Sequence, residues 1–403
     1  MPFGGARMKR LALGKIAAIS SGGTPDRQCP DFWNGTIPWV KTGEIQFNTI
    51  RDTEEKITDS AVKGSATKVY SAGTLLMAMY GQGKTRGQVA VLDIDAAINQ
   101  ACAAIIPSDK EDTRYLFQYL SYQYSNIRGL SNSGSQENLN AELIRSIPVY
   151  YPEKTCRNKI AEILGTWDDG LEKLDTLIAA KERRKKGLMQ QLLTGKRRVK
   201  GFAGKWVTAK LGELFDERVE QSRSDLPLLS ITADRGVVLR GDLTKRDTSS
   251  EDKSKYLRIA PGDVGYNTMR MWQGVSALSE LEGIISPAYT VCIPSERIDG
   301  HFSAHFFKLP HTIHLFHRYS QGLVDDTLNL KFPNFATIEV RIPSDVKEQR
   351  AIADILDACD DELRLLRAQR AAIDQQKRGL MQKLLTGQLR VLYIEATNGG
   401  ITC

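Results

Sequence analysis

Residues 81–85 are Gly-Gln-Gly-Lys-Thr, a pattern that could bind the phosphates of a nucleotide. A phosphate-binding loop also needs a glycine five positions before Gly83, where this chain has Ala78, and a helix directly after the loop. Instead, residues 87–92 alternate as they do in a β-strand. The sequence therefore predicts a glycine-rich loop between two strands, without nucleotide hydrolysis, that presents Lys84, Thr85, Arg86 and Gln88 outward.

All five histidines fall in one window of the chain, and histidine is the commonest zinc ligand. No acidic residue completes a catalytic zinc pattern, however, and Pro310 interrupts the segment. The intervening aromatic and aliphatic residues favour a helix that faces a hydrophobic core, and the six cysteines lack the paired spacing of a zinc site. We therefore expect no metal site at His301, His305, His311, His314 and His317.

Residues 286–289, Ser-Pro-Ala-Tyr, are close to the polar-Pro-Pro-aromatic tetrapeptide with which amino-methyltransferases hold a target amine. The second proline is missing, and no strand with a glycine-rich cofactor loop precedes the segment. No Ser/His/Asp order and no cluster of nuclease carboxylates stands out either. The sequence therefore predicts no catalytic residues and no cofactor in this chain.

A repeat defines the elements that must position these loops. Residues 159–164 return as 351–356 and residues 187–195 return as 379–387; 352 − 160 and 379 − 187 both equal 192, so the spacing is fixed. Both copies place apolar residues at helical spacing over roughly 35 residues, and neither helix could bury its apolar stripe alone. The sequence therefore predicts two long helices packed as a coiled coil. Four cations interrupt the stripes, where a partner helix or a bound acid is expected: Lys181, Lys185, Arg370 and Lys377.

The two helices divide the chain into globular and helical parts. The prediction is a first globular domain over 1–152, a first helical segment over 153–200, a second globular domain over 201–344, a second helical segment over 345–390 and a tail over 391–403. Each domain opens near a Leu-Gly pair, closes on an Ile-Pro pair and mixes strand with helix patterns. The predicted fold class is therefore α/β (α+β), with two diverged copies of one domain.

Positive charge is concentrated at the end of the first helical segment. The net charge of +7 over 403 residues is modest and is weak evidence for a polyanion partner. Cations at a helix C-terminus suit the helix dipole, but the same cluster is also typical of nucleic-acid contacts, and the sequence leaves both interpretations open. The residues concerned are Lys181, Arg183, Arg184, Lys185, Lys186, Lys196, Arg197, Arg198 and Lys200.

No run of apolar residues is long enough to span a bilayer. The N-terminal apolar stretch around residues 11–13 is interrupted by Lys15 before it could serve as a secretion signal. The sequence therefore predicts a cytoplasmic protein without a membrane partner.

Several features, taken in order, resemble one protein family. They are the doubled Gly-Leu-Met-Gln-x-Leu-Leu-Thr-Gly segment, the Ile-Pro pair before each helix, and the phrases at residues 21–25, 32–40, 99–101 and 286–289. In this combination the chain resembles the specificity subunit of Type I restriction-modification enzymes, and the resemblance covers nearly its whole length.

The resemblance implies a non-catalytic subunit with two similar target-recognition domains, separated by two long helices packed as an antiparallel coiled coil in a pseudo-twofold repeat. In that family each domain reads one half of a bipartite, asymmetric site on double-stranded DNA. Two modification subunits, which are adenine methyltransferases, dock on the helices, and it stays open whether restriction (motor-nuclease) subunits join them. S-adenosylmethionine, ATP and Mg are expected on those partners. The candidate docking residues are Leu188, Leu192, Leu380 and Leu384.

Base recognition favours Arg or Lys for guanine and Asn or Gln for adenine, carried on loops that reach a groove of the DNA. In the first domain the candidates are Lys84, Thr85, Arg86 and Gln88 of the glycine-rich loop, and Ser133, Ser135, Gln136 and Asn138 of an amide-rich turn. In the second domain the corresponding loop offers Asn267, Arg270, Trp272 and Gln273. The alternative for each residue is a solvated side chain or a phosphate contact that carries no sequence information.

Two functions from other classes remain alternatives. A scaffold protein could use the coiled coil for assembly alone, without sequence-specific DNA binding, although this leaves the two recognition-like domains unexplained. A self-contained DNA-modifying enzyme would need the cofactor loop and the catalytic tetrapeptide that are missing from this chain. Binding of S-adenosylmethionine by this chain alone would favour the enzyme.

Overall fold

The computed structural model describes residues 10–81, 83–130, 138–223, 225–243, 249–324, 327–393 and 401–402. The chain divides into two compact units, residues 1–174 with 369–403 and residues 175–368, which we call unit 1 and unit 2. Each unit contains one globular domain together with a part of both long helices.

The first domain, in unit 1, mixes short strands with short helices. Its described strands are β1 (Arg10–Ala12), β2 (Ala17–Ser21), β3 (Trp33–Val40), β4 (Asn48–Ile50), β5 (Glu55–Ile57), β6 (Val69–Tyr70), β7 (Leu75–Ala78), β8 (Val89–Leu92), β9 (Ala96–Ile98), β10 (Cys102–Pro107) and β11 (Pro148–Tyr150). Its described helices are α1 (Asp59–Lys63), α2 (Asp112–Tyr122), α3 (Tyr124–Gly129) and α4 (Ala141–Ser146). The strands form a sheet of order β2-β10-β7-β8-β4, a second sheet of order β5-β3-β9-β6 and the pair β1-β11.

The central sheet of the first domain is buried on both faces. Along β7, Leu75 and Met77 belong to one hydrophobic core, which also contains residues of α2, while Leu76 and Ala78 belong to another. Successive side chains of a strand point to opposite faces of the sheet, so an uninterrupted apolar run is what a sheet covered on both sides requires.

A long helix, α5 (Lys154–Leu192), follows the first domain and leads to the second domain, in unit 2. The described strands there are β12 (Trp206–Lys210), β13 (Phe215–Glu217), β14 (Leu229–Thr232), β15 (Gly236–Leu239), β16 (Leu257–Ile259), β17 (Val264–Asn267), β18 (Ser276–Leu278), β19 (Gly283–Ile285), β20 (Tyr289–Pro294) and β21 (Glu339–Pro343). The described helices are α6 (Gly300–Phe306), α7 (Pro310–Tyr319) and α8 (Phe332–Ala336).

The second domain repeats the central topology of the first. Its main sheet has the order β13-β20-β17-β18, antiparallel throughout, which matches β2-β10-β7-β8 strand for strand. The terminal pair β12-β21 likewise corresponds to β1-β11. The cores differ in composition, because the second domain packs the aromatic rings of Tyr266, Phe307 and Phe335 where the first has mainly aliphatic side chains. The prediction of two diverged copies of one α/β domain is confirmed.

The second long helix, α9 (Val346–Leu385), precedes a short antiparallel pair of β22 (Leu392–Tyr393) with β23 (Ile401–Thr402). In unit 1, Ile160 and Leu164, near the start of α5, share a core with Leu384, near the end of α9. In unit 2, Leu192 at the end of α5 shares a core with Ile352 near the start of α9. The two helices are therefore antiparallel within each unit, as the fold prediction states.

Lysines that interrupt the apolar stripes are paired with acids inside this chain. In unit 1, Lys377 Nζ lies 2.5 Å from an oxygen of Asp168, and in unit 2, Lys185 Nζ lies 2.5 Å from an oxygen of Asp360. Both partners in one unit stand 192 positions from their equivalents in the other, so the repeat reproduces an ion pair between the helices. Lys181 also pairs with Glu362 at 2.5 Å. At these three lysines, the partner helix supplies the acid.

Neither long helix contains an apolar stretch that could cross a bilayer, and the same holds for every other helix in the described part of the chain.

Candidate nucleic-acid interface

The first candidate loop connects β7 to β8 in the first domain. Strand β8 begins at Val89, directly after the loop, so a strand follows where a phosphate-binding loop requires a helix. Gly83 and Gly87 both have a φ of 84°, in the left-handed region that favours glycine. The glycines therefore shape a turn between two strands, as the sequence predicts.

Lys84 is the most accessible of the four predicted side chains in this loop. Its backbone carbonyl accepts a hydrogen bond from the hydroxyl of Tyr124 in α3, while its side chain is exposed. Thr85 and Gln88 are half-buried. The loop is thus fixed to α3 by its backbone and leaves the Lys84 ammonium group at the surface.

Arg86 does not face outward, which corrects the sequence prediction. The residue is only 7% exposed, and its Nη2 atom donates a hydrogen bond to the backbone carbonyl of Arg128 at 3.1 Å. That carbonyl belongs to the last turn of α3, where carbonyls lack partners within the helix. Arg86 therefore anchors the loop to α3. Because its guanidinium group is buried in this contact, it cannot reach a DNA groove.

A pair of backbone hydrogen bonds joins the end of β7 to two distant segments. Met79 N donates to the carbonyl of Ala101 at 2.8 Å, and the carbonyl of Met79 accepts from Leu139 N at 3.0 Å. We call this arrangement the backbone node. It holds Asn138, which is half-buried, beside the start of the glycine-rich loop. The other candidates of that turn, Ser133, Ser135 and Gln136, lie outside the described residues.

The candidate loop of the second domain connects β17 to β18 and contains one short turn of 3-10 helix over Met271–Gln273. Arg270 and Gln273 are exposed on it. The other two candidates shape the loop instead. The Asn267 side chain accepts from the backbone N–H of Met269 at 3.0 Å, and the Trp272 indole donates to the carbonyl of Met269 at 3.0 Å. Arg270 and Gln273 contribute backbone hydrogen bonds to the loop, such as Gln273 N to the carbonyl of Arg270 at 2.9 Å, while their side chains are exposed.

The backbone node recurs in the second domain. Thr268 N donates to the carbonyl of Ala288 at 3.0 Å, and the carbonyl of Thr268 accepts from Leu330 N at 2.9 Å. Three segments meet at this point, as they do in the first domain. They are the end of β17, the turn before the neighbouring strand β20, and the segment before the short helix α8; in the first domain they are the end of β7, the turn before β10 and the segment before α4. Two loops of different sequence thus occupy the same place on two equivalent sheets.

The node identifies Asn329 as a candidate that sequence reasoning missed. Asn329 directly precedes Leu330, as Asn138 directly precedes Leu139, and both asparagines are half-buried. The sequence feature that could have revealed it is an Asn-Leu pair whose leucine lies two residues before the start of a short helix, α4 in one domain and α8 in the other. Asn329 therefore joins Asn138 as a side chain held next to a candidate reading loop.

The predicted docking residues divide into two groups. Leu192 is 3% exposed and Leu384 is 2% exposed, and each lies in the core of its own unit. Leu188 and Leu380 are partly buried against the same cores. Leu192 and Leu384 are therefore core residues of this chain, and their burial corrects the expectation that a partner contacts them.

Two motifs that could carry chemistry have structural roles. The carbonyl of Ala288, inside the Ser-Pro-Ala-Tyr segment, is an acceptor in the backbone node. His305, 7% exposed on α6, lies with its Nε2 atom 2.7 Å from Asp357, and His301 Nδ1 lies 2.9 Å from the same carboxylate. Among the described residues, no group of three or more metal-binding side chains could hold a metal ion.

Comparison with known proteins places these features in one family. A model of the Type I restriction modification DNA specificity domain matches residues 7–182 and 273–375. The specificity subunit of the Type I restriction enzyme MjaIX, from Methanocaldococcus jannaschii, is 25% identical over 162 residues, which cover 39% of this chain and 37% of that one. The EcoR124I/EcoR124II specificity subunit from Escherichia coli is 26% identical over 162 residues, with 39% and 40% covered. These matches span about two fifths of the length of both relatives.

The fold is shared over a greater length. A crystal structure of the S subunit of a type-I restriction-modification system from M. genitalium superimposes with a TM-score of 0.60 at 14% sequence identity, covering 94% of this chain and 97% of that one. At this identity the likeness is one of fold.

Proposed function

Because the chain belongs to the family of Type I restriction modification DNA specificity domains, we propose that it recognises a bipartite, asymmetric sequence on double-stranded DNA. Each domain reads one half of that sequence. The observation that carries the proposal is the backbone node, since it holds loops of different sequence at equivalent places in the two domains. Two copies of one scaffold with different exposed side chains suit the recognition of two different half-sites.

Within each domain, the proposed base contacts come from the exposed side chains of these loops. They are Lys84 in the first domain and Arg270 with Gln273 in the second. Asn138 and Asn329 lie beside these loops but are half-buried, and the Oδ1 atom of Asn329 is buried, so we propose a supporting role for them. Lysine and arginine suit guanine, and glutamine and asparagine suit adenine. Thr85 and Gln88 are placed on the same loop but are half-buried, so we propose a supporting role for them.

We further propose that the chain acts without catalysis of its own, in the cytoplasm, as part of a complex. Two modification subunits dock on the long helices, bind S-adenosylmethionine and methylate adenine. Restriction subunits, where present, supply the chemistry that uses ATP and Mg. The structural roles of the Ser-Pro-Ala-Tyr segment and of His305 support a non-catalytic chain.

The test is to co-express the chain with a modification subunit and to map methylated adenines across a host genome by single-molecule sequencing. The expected result is one split motif with a fixed gap. Replacing residues 201–344 by the second domain of another family member should then change only one half of the motif, and replacing residues 1–152 should change only the other half.

The matched control is the same pair of chains carrying Arg364→Gln, a substitution of an exposed arginine on α9. It should leave both halves of the motif unchanged. A complex that forms normally but yields no motif would favour a scaffold without sequence-specific binding, and binding of S-adenosylmethionine by this chain alone would favour a self-contained enzyme.

A further inference from the structure

A group of exposed cations lies in unit 2 at the end of α5 and just beyond it. The group, which we call the basic patch, consists of Arg183, Arg184, Lys186, Lys196, Arg197 and Lys200, all exposed. Three other cations of this segment have acidic partners within unit 2, namely Lys181 with Glu362, Lys185 with Asp360 and Arg198 with Glu348. Among the residues that the structure describes, the basic patch is thus the positive charge of this segment that remains after these ion pairs are formed.

The helix end does not need these cations in order to fold. The second copy of the repeat ends α9 with Gln375 and Gln376 in place of Arg183 and Arg184, and has Gln388 and Leu389 in place of Lys196 and Arg197. Both copies nonetheless end their helix before a glycine with left-handed φ, 72° at Gly195 and 71° at Gly387. The helix dipole therefore does not explain the basic patch, since an equivalent helix end forms with fewer cations.

The two copies of the repeat also differ in how acidic residues neutralise the cations near the helix end. In the second copy, Arg378 pairs with Asp374, one turn earlier on the same helix. The equivalent pair in the first copy would join Lys186 to Glu182, but Glu182 lies 2.5 Å from Arg367 of α9 instead. Like charges at neighbouring helix positions repel one another when no counter-charge lies between them. The basic patch is thus a local excess of positive charge, of the kind that a polyanion neutralises.

One end of α7 lies near the candidate reading loop, and its other end lies near the chain just before Lys196 and Arg197. Thr194, two residues before Lys196, lines a cavity of about 340 Å³ together with His311 at the start of α7. At the other end of α7, the ring of His317 lies 5.8 Å from that of Trp272 in the loop. A helix of this size is about 15 Å long, which corresponds to roughly four or five base pairs of DNA. A duplex that runs from the loop along α7 is therefore long enough to reach Lys196 and Arg197, the members of the basic patch that follow Thr194.

We propose that the basic patch binds DNA phosphates next to the half-site that the second domain reads. This inference rests on the proposed function. The first domain has no equivalent patch from the second copy of the repeat, where Gln and Leu replace the cations. The complex therefore holds its DNA with an uneven electrostatic contact, stronger beside one half-site than beside the other.

The experiment measures binding of a duplex containing the mapped site to the complex of this chain with modification subunits, over a series of salt concentrations. The test variant is Lys196→Gln with Arg197→Leu, which copies Gln388 and Leu389 of the second copy of the repeat. Each lost phosphate contact lowers the slope of log affinity against log salt by about 0.9, so the double variant should lower it by about 1.8. The methylation motif should stay the same, because phosphate contacts carry no base information.

The matched control is Arg364→Gln with Arg378→Gln, which removes two exposed arginines that pair with Asp361 and Asp374. It should leave the slope close to that of the unaltered complex. An unchanged slope in the test variant would overturn the inference. Weaker association with modification subunits at an unchanged slope would also overturn it, and would assign the basic patch to an acidic protein surface.

Methylphosphonate substitution, which removes the charge of a single phosphate, locates the contact. Substitutions beside the half-site of the second domain should weaken binding of the unaltered complex and have little further effect in the Lys196→Gln and Arg197→Leu variant. If the two effects simply add at every phosphate tested, the basic patch does not contact them. Failure of the unaltered complex to bind the duplex would instead overturn the proposed function.

Discussion

The first turn of α5 in unit 1 and the first turn of α9 in unit 2 are held to their domains by different chemistry. The side chains are Arg157 and Gln349, which occupy equivalent positions of the repeat. Arg157 Nη1 donates to the carbonyl of Pro152 at 2.6 Å, and Gln349 Nε2 donates to the carbonyl of Pro343 at 2.9 Å. Both residues therefore tie the helix to the chain just before it, one with a charged group and one with a neutral group.

In unit 1 the attachment is completed by a buried ion pair. Arg157 Nε lies 2.5 Å from a carboxylate oxygen of Asp112, the first residue of α2, and the two side chains are 8% and 1% exposed. The hydroxyl of Tyr151 donates to the same carboxylate. Burial, together with this hydrogen bond, raises the pKa of Tyr151 to about 12, so the phenol keeps its proton. The site thus contains one positive charge, on Arg157, and one negative charge, on Asp112, and each is buried beside the other.

In unit 2 the contacts of Gln349 itself are neutral, although its neighbour Arg350 lies 3.7 Å from Asp299. Gln349 Nε2 also donates to the carbonyl of Arg297 at 3.0 Å, and its Oε1 atom accepts from the backbone N–H of Asp299 at 2.8 Å. Asp299 caps α6, which corresponds to α2 of the first domain. One geometry is therefore achieved by an ion pair in one unit and by an amide in the other, which means that the repeat constrains the position of the helix more than the chemistry that holds it.

The largest expected effect is that of Asp112→Ala. It leaves Arg157 buried without its counter-charge, and breaking a buried pair in this way typically costs about 3–5 kcal/mol. Urea denaturation measures the free energy of unfolding, and amide hydrogen exchange in α2 shows that the loss lies in unit 1. The control is Glu111→Ala, which removes an exposed partner of Lys154 and should leave the free energy of unfolding nearly unchanged.

Gln349→Ala tests the neutral attachment in unit 2. It leaves the backbone N–H of Asp299 and two carbonyls without this partner, and an unpaired buried polar group costs about 1–3 kcal/mol. Hydrogen exchange in α6 should locate the loss in unit 2, while Gln191→Ala, an exposed amide on α5, serves as the control. A cost as large as that of Asp112→Ala would contradict the distinction drawn between the charged and the neutral attachment.

The two candidate loops should respond differently to the loss of an arginine. Arg270→Ala removes an exposed side chain and should relax one base position of the second half-site, by about 1–3 kcal/mol of discrimination, with little change in stability. Arg86→Ala removes the buried contact with Arg128 and should destabilise unit 1 without changing the preferred base at any position. Competition binding with single-base variants of the duplex, combined with urea denaturation, separates the two outcomes. A change in the first half-site caused by Arg86→Ala would contradict the structural role assigned to this residue.

The sequence was sufficient for the long helices because their spacing is a linear property. A fixed offset of 192 positions and apolar residues at helical spacing specify two equivalent helices, and equivalent lysines and aspartates then form the same ion pair in both units. The strand-loop-strand interpretation of the glycine-rich segment held for a similar reason, since alternation after the loop is local.

The backbone node could not be predicted, because its hydrogen bonds join main-chain atoms of Met79, Ala101 and Leu139 and so leave no side-chain pattern in the sequence. The prediction that Arg86 faces outward was wrong because the sequence of a loop does not reveal that a helix, here α3, covers one of the side chains of the loop. Leu192 was misassigned for the converse reason: an apolar residue on a helix looks the same whether its own chain or a partner covers it.

A last difference concerns the carboxylates that pair with the lysines between the helices. In unit 1, Asp168 also accepts a hydrogen bond from Gln118 Nε2 at 2.5 Å. In unit 2, the corresponding Asp360 lies 4.0 Å from His305 Nδ1, whose ring also contacts Asp357. Gln118 is neutral at every pH, whereas a histidine titrates near neutral pH. Unit 2 therefore contains a titratable group where unit 1 has an amide.

Lowering the pH should destabilise unit 2 through His305. Burial lowers the pKa of His305, and the hydrogen bond with Asp357 opposes this only in part. Since the folded pKa lies below the unfolded value of about 6.5, the unfolded chain takes up this proton first as the pH falls. The contribution of the neutral ring to stability is thus present above about pH 6.5 and is lost as the pH falls through the folded pKa. His305→Gln, which copies the chemistry of Gln118, should flatten the pH dependence of hydrogen exchange in α6, whereas the exposed His314→Gln should not. Equal pH dependence in the unaltered and His305→Gln proteins would show that Asp357 fully compensates the burial of the ring.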